Sequence, residues 1–396
     1  MTPDITNVFV LMLENRSFDH MLGFSGITGT DAATGQPTRI DGLTGSESNR
    51  YDGKVYTVSQ PADQNLPVDP GHEFADVVEQ LCGAGAAYPA LGAYPPMNLS
   101  GYVSNYATST SPQEGKAPLP LLQTIMRGYS PSQLPVLNAL ATEFAVCDRW
   151  FSSLPGPTWP NRLFAHAASS AGLDDSPTTD QILRWEFGEG VVFPNGTIFD
   201  ALDRMPGHGG MGWRIYSGGP FALSPALHGV SKLDVRGLDE FFAKVQSPSY
   251  PWRYTFLEPN YGDVLQGTYL RGNSQHPMDG VTAGEALIKR VYEAIRNSPR
   301  WETSLLIITW DEHGGFYDHV APPAAVAPGD TPPGQGLSKH GFTFEQYGVR
   351  VPAVVVSPRI PRNVIDHRVY DHASIPATLE ALYGMAPLTQ RDARAN

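Results

Sequence analysis

Short apolar runs at Val8–Leu13, Ser304–Thr309 and Val351–Val356 stand out against an otherwise mixed chain. Runs of this length without polar alternation predict strands buried on both faces. Between them the period changes. Leu287, Ile288, Val291 and Ile295 fall on one face of a helix predicted over Glu285–Asn297. Pro135–Phe144 and Arg162–Ser169 are predicted helices as well. A last helix begins near Ser374, where Ile375, Leu379 and Leu382 recur at i, i+4 and i+7. Strands alternating with helices over the whole length predict an α/β fold with a central, mostly parallel sheet sandwiched by helices. Residues 25–70 and 84–120 are rich in turn-forming and small polar residues. They read as long irregular insertions within one catalytic domain of residues 1–396, since no repeat and no linker marks a boundary.

The polar residues with chemical potential sit where two of these runs stop. Val8–Leu13 delivers Glu14-Asn15-Arg16-Ser17-Phe18-Asp19-His20, and Ser304–Thr309 delivers Trp310-Asp311-Glu312-His313-Gly314-Gly315-Phe316-Tyr317-Asp318-His319. Ligands of open α/β sheets bind at the carboxyl ends of strands, so the two segments meet there if their strands are neighbours. Hard divalent cations take carboxylate and amide oxygens, which Glu14, Asn15, Asp311 and Glu312 offer. Consecutive strand residues point to opposite faces, so each pair converges only where its strand breaks into a loop. Gly314-Gly315 supplies such a break. The same acids would also serve as helix caps or surface charges.

A third segment, Pro155-Gly156-Pro157-Thr158-Trp159-Pro160-Asn161-Arg162, sets a hydroxyl before a predicted helix. Pro160 suits a first helical turn, so Thr158 lies near a helix N-terminus, where free N–H groups favour a phosphate. Thr158 is either a nucleophile made more acidic by a cation or an N-cap. His72, His276, His313, His319 and His372 all lie in loop-like surroundings, and imidazoles can carry protons or hold phosphoryl oxygens near neutral pH.

Composition narrows the class. Hydrophobic residues make up 41% and charged residues 17%, as in a folded globular protein, and 40 Gly with 36 Pro favour ordered loops. A net charge of −13 argues against a nucleic-acid partner. Met1–Thr6 has no basic leader region, and no apolar stretch reaches the length of a membrane span. The expectation is a soluble chain, cytoplasmic as given, or secreted or periplasmic if a leader was removed. Cys82 and Cys147 either pair or remain free thiols. The nucleophile elbow G-x-S-x-G, the zinc motif H-E-x-x-H and the phosphate loop G-x-x-x-x-G-K-[ST] are absent.

Taken together, Glu14-Asn15-Arg16-Ser17-Phe18-Asp19-His20, Pro157-Thr158-Trp159-Pro160-Asn161-Arg162, Asp311-Glu312-His313-Gly314-Gly315-Phe316-Tyr317-Asp318-His319-Val320 and Asp371-His372-Ala373-Ser374 resemble the phosphoesterase family. That family comprises non-specific (phosphatidylcholine-type) phospholipases C and related bacterial acid phosphatases, within the alkaline-phosphatase-like superfamily. The resemblance implies one divalent metal ion held by Glu14, Asn15, Thr158, Asp311 and Glu312, and a phospho-enzyme on Thr158. It implies that His72 and His276 act in catalysis, and that Asn161, His313, His319 and His372 bind phosphate or support the site. Relatives are expected to carry an acid before the second catalytic histidine, where this chain has Gln275.

All-oxygen ligation favours calcium, magnesium or manganese, with zinc also compatible. The substrate implied is a phospholipid, with a soluble phosphomonoester as the alternative and a non-catalytic, metal-stabilised binding module as a different class. Sulfate-ester hydrolysis would call for a modified Cys or Ser in a motif that is absent. Tyr88, Leu91, Tyr94 and Met97, among the Pro and Gly of Ala86–Met97, read either as an apolar rim for peripheral membrane contact or as a packed loop. No obligate protein partner is implied.

Overall fold

The computed structural model describes residues 5–111, 114–205, 212–330 and 336–396. Met1–Asp4 of the N-terminal stretch and residues 112–113 of the second insertion lie outside the described residues. The strands in chain order are β1 (Asn7–Leu13), β2 (Thr28–Asp31), β3 (Pro37–Arg39), β4 (Ser48–Tyr51), β5 (Lys54–Thr57), β6 (Ala145–Cys147), β7 (Trp213–Ser217), β8 (Val235–Gly237), β9 (Tyr254–Glu258), β10 (Ser304–Trp310), β11 (Ala353–Val356) and β12 (Val364–Asp366). Ten form one sheet in the order β3-β2-β12-β6-β11-β10-β1-β9-β7-β8, and β4 with β5 makes a separate hairpin. The pairings make β11 and the edge strand β3 antiparallel to their neighbours and the other strands parallel to one another. The expected mostly parallel sheet is therefore present.

The apolar runs are its centre. Every residue of β1 is buried, as is all of β10 but Leu305. The third run is shorter than its hydrophobicity suggests: β11 starts only after Pro352, which lacks the N–H a ladder needs. Helices Pro135–Glu143 and Val281–Arg296 pack on each other and on the sheet. The second begins four residues before its predicted start because Val281 is already buried and Gly280 turns the chain in. The helix expected at Arg162–Ser169 runs instead over Thr158–Ala167, ending at Ala168 with a left-handed φ of 51°. In the last helix, Ser374–Tyr383, Ile375 and Leu379 are buried, but Leu382 stays exposed.

The two insertions are less irregular than expected. The first contributes β2 and β3 to the sheet edge and the β4–β5 hairpin; the second contributes helix Tyr102–Thr108, with Tyr102, Val103 and Tyr106 buried. Cys82 and Cys147 are free thiols. Among the described residues no helix is long and apolar enough to cross a membrane.

Candidate active site

β1 and β10 pair in parallel with Leu13 opposite Trp310, so both strands end at the same level. Glu14 and Asp311 are thus the first residues past the ends of two neighbouring strands, followed by Asn15 and Glu312. Asn15 breaks the strand with a φ of 57°, a conformation Asn tolerates better than most residues. Gly314, at φ 63°, lies so close that a Cβ there would sit 2.1 Å from the Asn15 carbonyl oxygen. Asp311 Oδ1 accepts hydrogen bonds from the Asn15 N–H (3.0 Å) and the Glu312 N–H (2.8 Å), and Glu312 Oε2 accepts from the Gly314 N–H (2.8 Å). The two loops are therefore stitched into one unit.

Helix Thr158–Ala167 brings its first residue to this unit. The Thr158 hydroxyl donates to Asn15 Oδ1 at 3.4 Å. One turn on, Arg162 donates from Nε to Asp311 Oδ2 (2.8 Å) and from Nη2 to the Leu13 carbonyl (2.9 Å), pinning the helix against both strand ends. Asn161 donates to the Gly156 and Pro157 carbonyls at 2.9 and 3.0 Å, so it holds the Pro-Gly-Pro turn in shape.

Three buried carboxylates gather here against the single guanidinium of Arg162. Glu14 Oε2 and Glu312 Oε1 have no hydrogen-bond partner despite burial. Burial, reinforced by Asp311, pushes the Glu14 carboxyl up to about 8. Burial likewise raises Asp311. Buried anionic oxygens without donors are costly, and a divalent cation among them removes that cost. The donor set of carboxylates, an amide and a hydroxyl fits such an ion.

Two predicted histidines support this cluster from behind. Trp150 Nε1–H donates to His372 Nδ1 (3.3 Å), leaving Nε2–H to donate to the Asp311 carbonyl (2.6 Å). Burial, with Arg162 nearby, lowers His372 to about 4, which keeps it neutral. Ser153 ties the two motifs together, accepting the His372 N–H and donating to Asp371. His313 Nε2 donates to Gln80 Oε1 (2.7 Å), and its Nδ1 lies 3.4 Å from Glu312 Oε2.

His72 and His276 face each other across Asp69. The Pro70 carbonyl accepts from His72 Nδ1–H at 2.9 Å, leaving Nε2 without a hydrogen-bond partner among the described residues. Burial opposes charge on His72, yet Glu312, then Asp69 and Glu73, raise it to about 10. His276 stacks flat on Tyr269 with centroids 3.6 Å apart, and its Nδ1 accepts the Met278 N–H at 3.3 Å. That arrangement puts the ring's one N–H proton on Nε2, 3.7 Å from Asp69 Oδ2. Burial, then the charge of His72, holds His276 well below its ordinary value. Burial raises Asp69 to about 7.

Sequence reasoning missed Asp69, Arg162, Gln80 and Trp150. Asp69 lies three residues before His72, but no spacing rule marks it. Gln275, where relatives are expected to carry an acid, points into the core. Gln275 accepts from Trp310 Nε1–H (3.0 Å), donates to the Val281 carbonyl (3.1 Å) and packs against Gly284, so its position serves the core. The acid beside His276 is Asp69. His319 is not brought to the cluster: its Nδ1 bonds Asp19 (2.7 Å) and its Nε2 lies 3.3 Å from Asp41. Asp19, Asp318 and His319 lie within reach of one common ion, but Arg350 already pairs with Asp19 at 3.0 Å and Asp318 at 2.9 Å.

A model of the phosphoesterase family matches residues 5–386. Non-specific phospholipase C6 of Arabidopsis thaliana is 37% identical over 409 residues, covering 99% of this chain and 71% of the relative. Phospholipase C B of Mycobacterium tuberculosis is 28% identical over 96% of this chain and 74% of its own length. A solved structure from Vibrio parahaemolyticus, described as a protein in the alkaline phosphatase superfamily, aligns with 67% of this chain and 64% of its own at 16% identity and a TM-score of 0.41. The chain belongs to the phosphoesterase family.

Proposed function

We propose that this protein is a metal-dependent phospholipase C, hydrolysing a phospholipid to diacylglycerol and a phosphorylated head group through a phospho-threonine intermediate. The observation that carries the reading is the convergence of a helix-terminal hydroxyl, an amide oxygen and two unpartnered buried carboxylate oxygens at one strand edge. Glu14, Asn15, Asp311, Glu312 and the Thr158 hydroxyl would hold one divalent ion, with calcium, magnesium or manganese suited to oxygen donors. When bound, that ion supplies positive charge against the phosphoryl oxygens and the attacking hydroxyl.

The remaining steps belong to the chain's own groups. Thr158 Oγ1, at the first position of its helix, loses its proton to solvent and attacks phosphorus in line as the bond from phosphorus to the diacylglycerol oxygen breaks, with the helix N-terminus favouring the phosphate. His72, held cationic by the surrounding acids, donates from Nε2 to a non-bridging oxygen. Asp69, raised to about 7 by burial and 3.7 Å from His276 Nε2, gives its proton to the departing alkoxide, and neutral His276 steadies the resulting carboxylate through its Nε2–H. Water then cleaves the phospho-threonine, with the Asp69 carboxylate taking the proton of the attacking water. Stacking on Tyr269 fixes the His276 ring in the plane this contact needs. Arg162, His372 and His313 orient the carboxylates and touch no substrate.

The test is hydrolysis of phosphatidylcholine vesicles and of p-nitrophenyl phosphate by one preparation, with and without a chelator, and with Thr158→Ala. Chelator-sensitive release of phosphocholine and diacylglycerol, lost in Thr158→Ala, is the expected result. Cleavage of the aryl ester alone would make the protein a monoester phosphatase, and silence on both would return it to a binding role.

A further inference from the structure

Between Glu79 and Glu114 the sequence holds no charged residue, although 17% of the chain is charged and its net charge is −13. The middle of this stretch, Ala84–Met97, is a surface loop, with Ala84, Ala87, Pro89, Ala90, Leu91, Ala93 and Pro96 exposed. Leu91 forms its tip and is 81% exposed.

Leu91 is also held at a φ of 58°, in the left-handed region where a branched apolar side chain is disfavoured and Gly or Asn would be at ease. Neither packing nor backbone preference accounts for a leucine there. A use for its side chain outside the folded chain does.

The loop is rigid. Tyr88 Oη–H donates to the Gly92 carbonyl (3.0 Å), the Gly92 N–H to the Pro89 carbonyl (2.7 Å), and the Leu91 N–H to the Gly341 carbonyl (3.1 Å). Beneath the tip, Tyr88 packs edge-on to Phe74 at 5.4 Å and to Phe342 at 5.6 Å, and Tyr94 meets Phe342 at 6.4 Å. Asp174 fixes the segment 338–342 that carries Gly341 and Phe342, accepting the Ser338 hydroxyl (2.8 Å) and the Lys339 and His340 N–H groups (2.7 and 3.0 Å). Phe74, the floor of this aromatic base, follows His72 by two residues and opens helix Phe74–Cys82. The platform is therefore built on the segment that positions a proposed phosphate-binding histidine.

We infer that the Leu91-tipped loop Ala84–Met97 is a shallow anchor that docks the protein on the surface of a zwitterionic phospholipid bilayer. The inference rests on the phospholipase reading of the site. Three observations select that occupant. The tip is apolar and uncharged, so it enters the interface without desolvating an ion. The strongly acidic chain gains nothing from an anionic surface, which makes a neutral one the electrostatically permitted choice. The platform shares a segment with the reacting edge, where a lipid head group must arrive.

The experiment uses the full chain and the Leu91→Asn variant, since Asn accepts the left-handed conformation and an exposed site carries little folding risk. Co-sedimentation with phosphatidylcholine vesicles and hydrolysis of those vesicles are compared with hydrolysis of a short-chain phosphatidylcholine kept monomeric. The expected result is a loss of about 10-fold or more in vesicle binding, as for removing one leucine from an apolar contact. Vesicle hydrolysis falls in parallel while turnover of the monomeric lipid is unchanged. Unchanged vesicle binding overturns the proposal. So does a dimer in sedimentation velocity that Leu91→Asn dissolves, because the tip would then be covered by a second copy. Failure of the phospholipase reading looks different: wild type would bind vesicles through Leu91 yet hydrolyse neither lipid.

Discussion

Stripping the metal from this protein should lower its thermal stability by an amount the structure bounds. Glu14 Oε2 and Glu312 Oε1 are buried without protein partners. Leaving a buried polar group unsatisfied costs about 1–3 kcal/mol, so an ion that satisfies both stabilises the fold by about 2–6 kcal/mol. With an unfolding entropy of about 2.1 cal/mol/K per residue, the 396 residues carry roughly 0.8 kcal/mol/K, and the range becomes about 2–7 °C. Calorimetric melts in chelator and in excess calcium, magnesium or manganese measure it directly, because a ligand that binds only the folded state raises Tm by mass action. Glu14→Gln supplies the control. Burial already pushes the Glu14 carboxyl up to about 8, so in chelator this variant is no less stable than wild type. In excess metal it should gain less. A wild-type Tm indifferent to chelation and metal, or a Glu14→Gln variant that gains as much from metal as wild type, would mean that no ion sits against these oxygens.

Gly314→Ala would push a Cβ to 2.1 Å from the Asn15 carbonyl oxygen in a left-handed conformation. Displacing Asn15 misplaces Thr158 through their hydrogen bond, and kcat should fall about 100-fold in steady-state assays. Glu380 is held up to about 9 by burial and then by Asp392, while its unfolded value is 4.5. The folded state thus keeps a proton that the unfolded chain releases between about pH 4.5 and 9, and stability from this group falls as pH rises through that window. Glu380→Gln should accordingly raise Tm over wild type at pH 8 and leave it unchanged near pH 5; equal shifts at both would contradict the assignment.

The strand-edge half of the site was legible because its physics is local. Unbroken apolar runs mark β1 and β10 as central, and carboxylates placed just past such runs have few structural uses. What the runs could not show was that they are neighbours in register, which fixes Glu14 beside Asp311. β2 and β3 escaped notice because Thr28–Asp31 and Pro37–Arg39 carry no apolar alternation, their pairing being satisfied at a solvent-exposed edge. The reversal of β11 is set by the loop that returns to it, and a four-residue apolar strand reads the same in either direction. Asp69 and Arg162 act only through partners distant in sequence. His319 shows the converse: it lies in the same motif as Asp311 and Glu312, yet the turn after Gly315 carries it to Asp19, Asp41 and Arg350.

The most direct measurement is peptide mass spectrometry after rapid acid quench of the enzyme turning over phosphatidylcholine. The expected result is one phosphoryl group on the peptide bearing Thr158, absent when metal is chelated, and no turnover by Thr158→Ala. Phosphate on a different residue, or near wild-type turnover by Thr158→Ala, would contradict it.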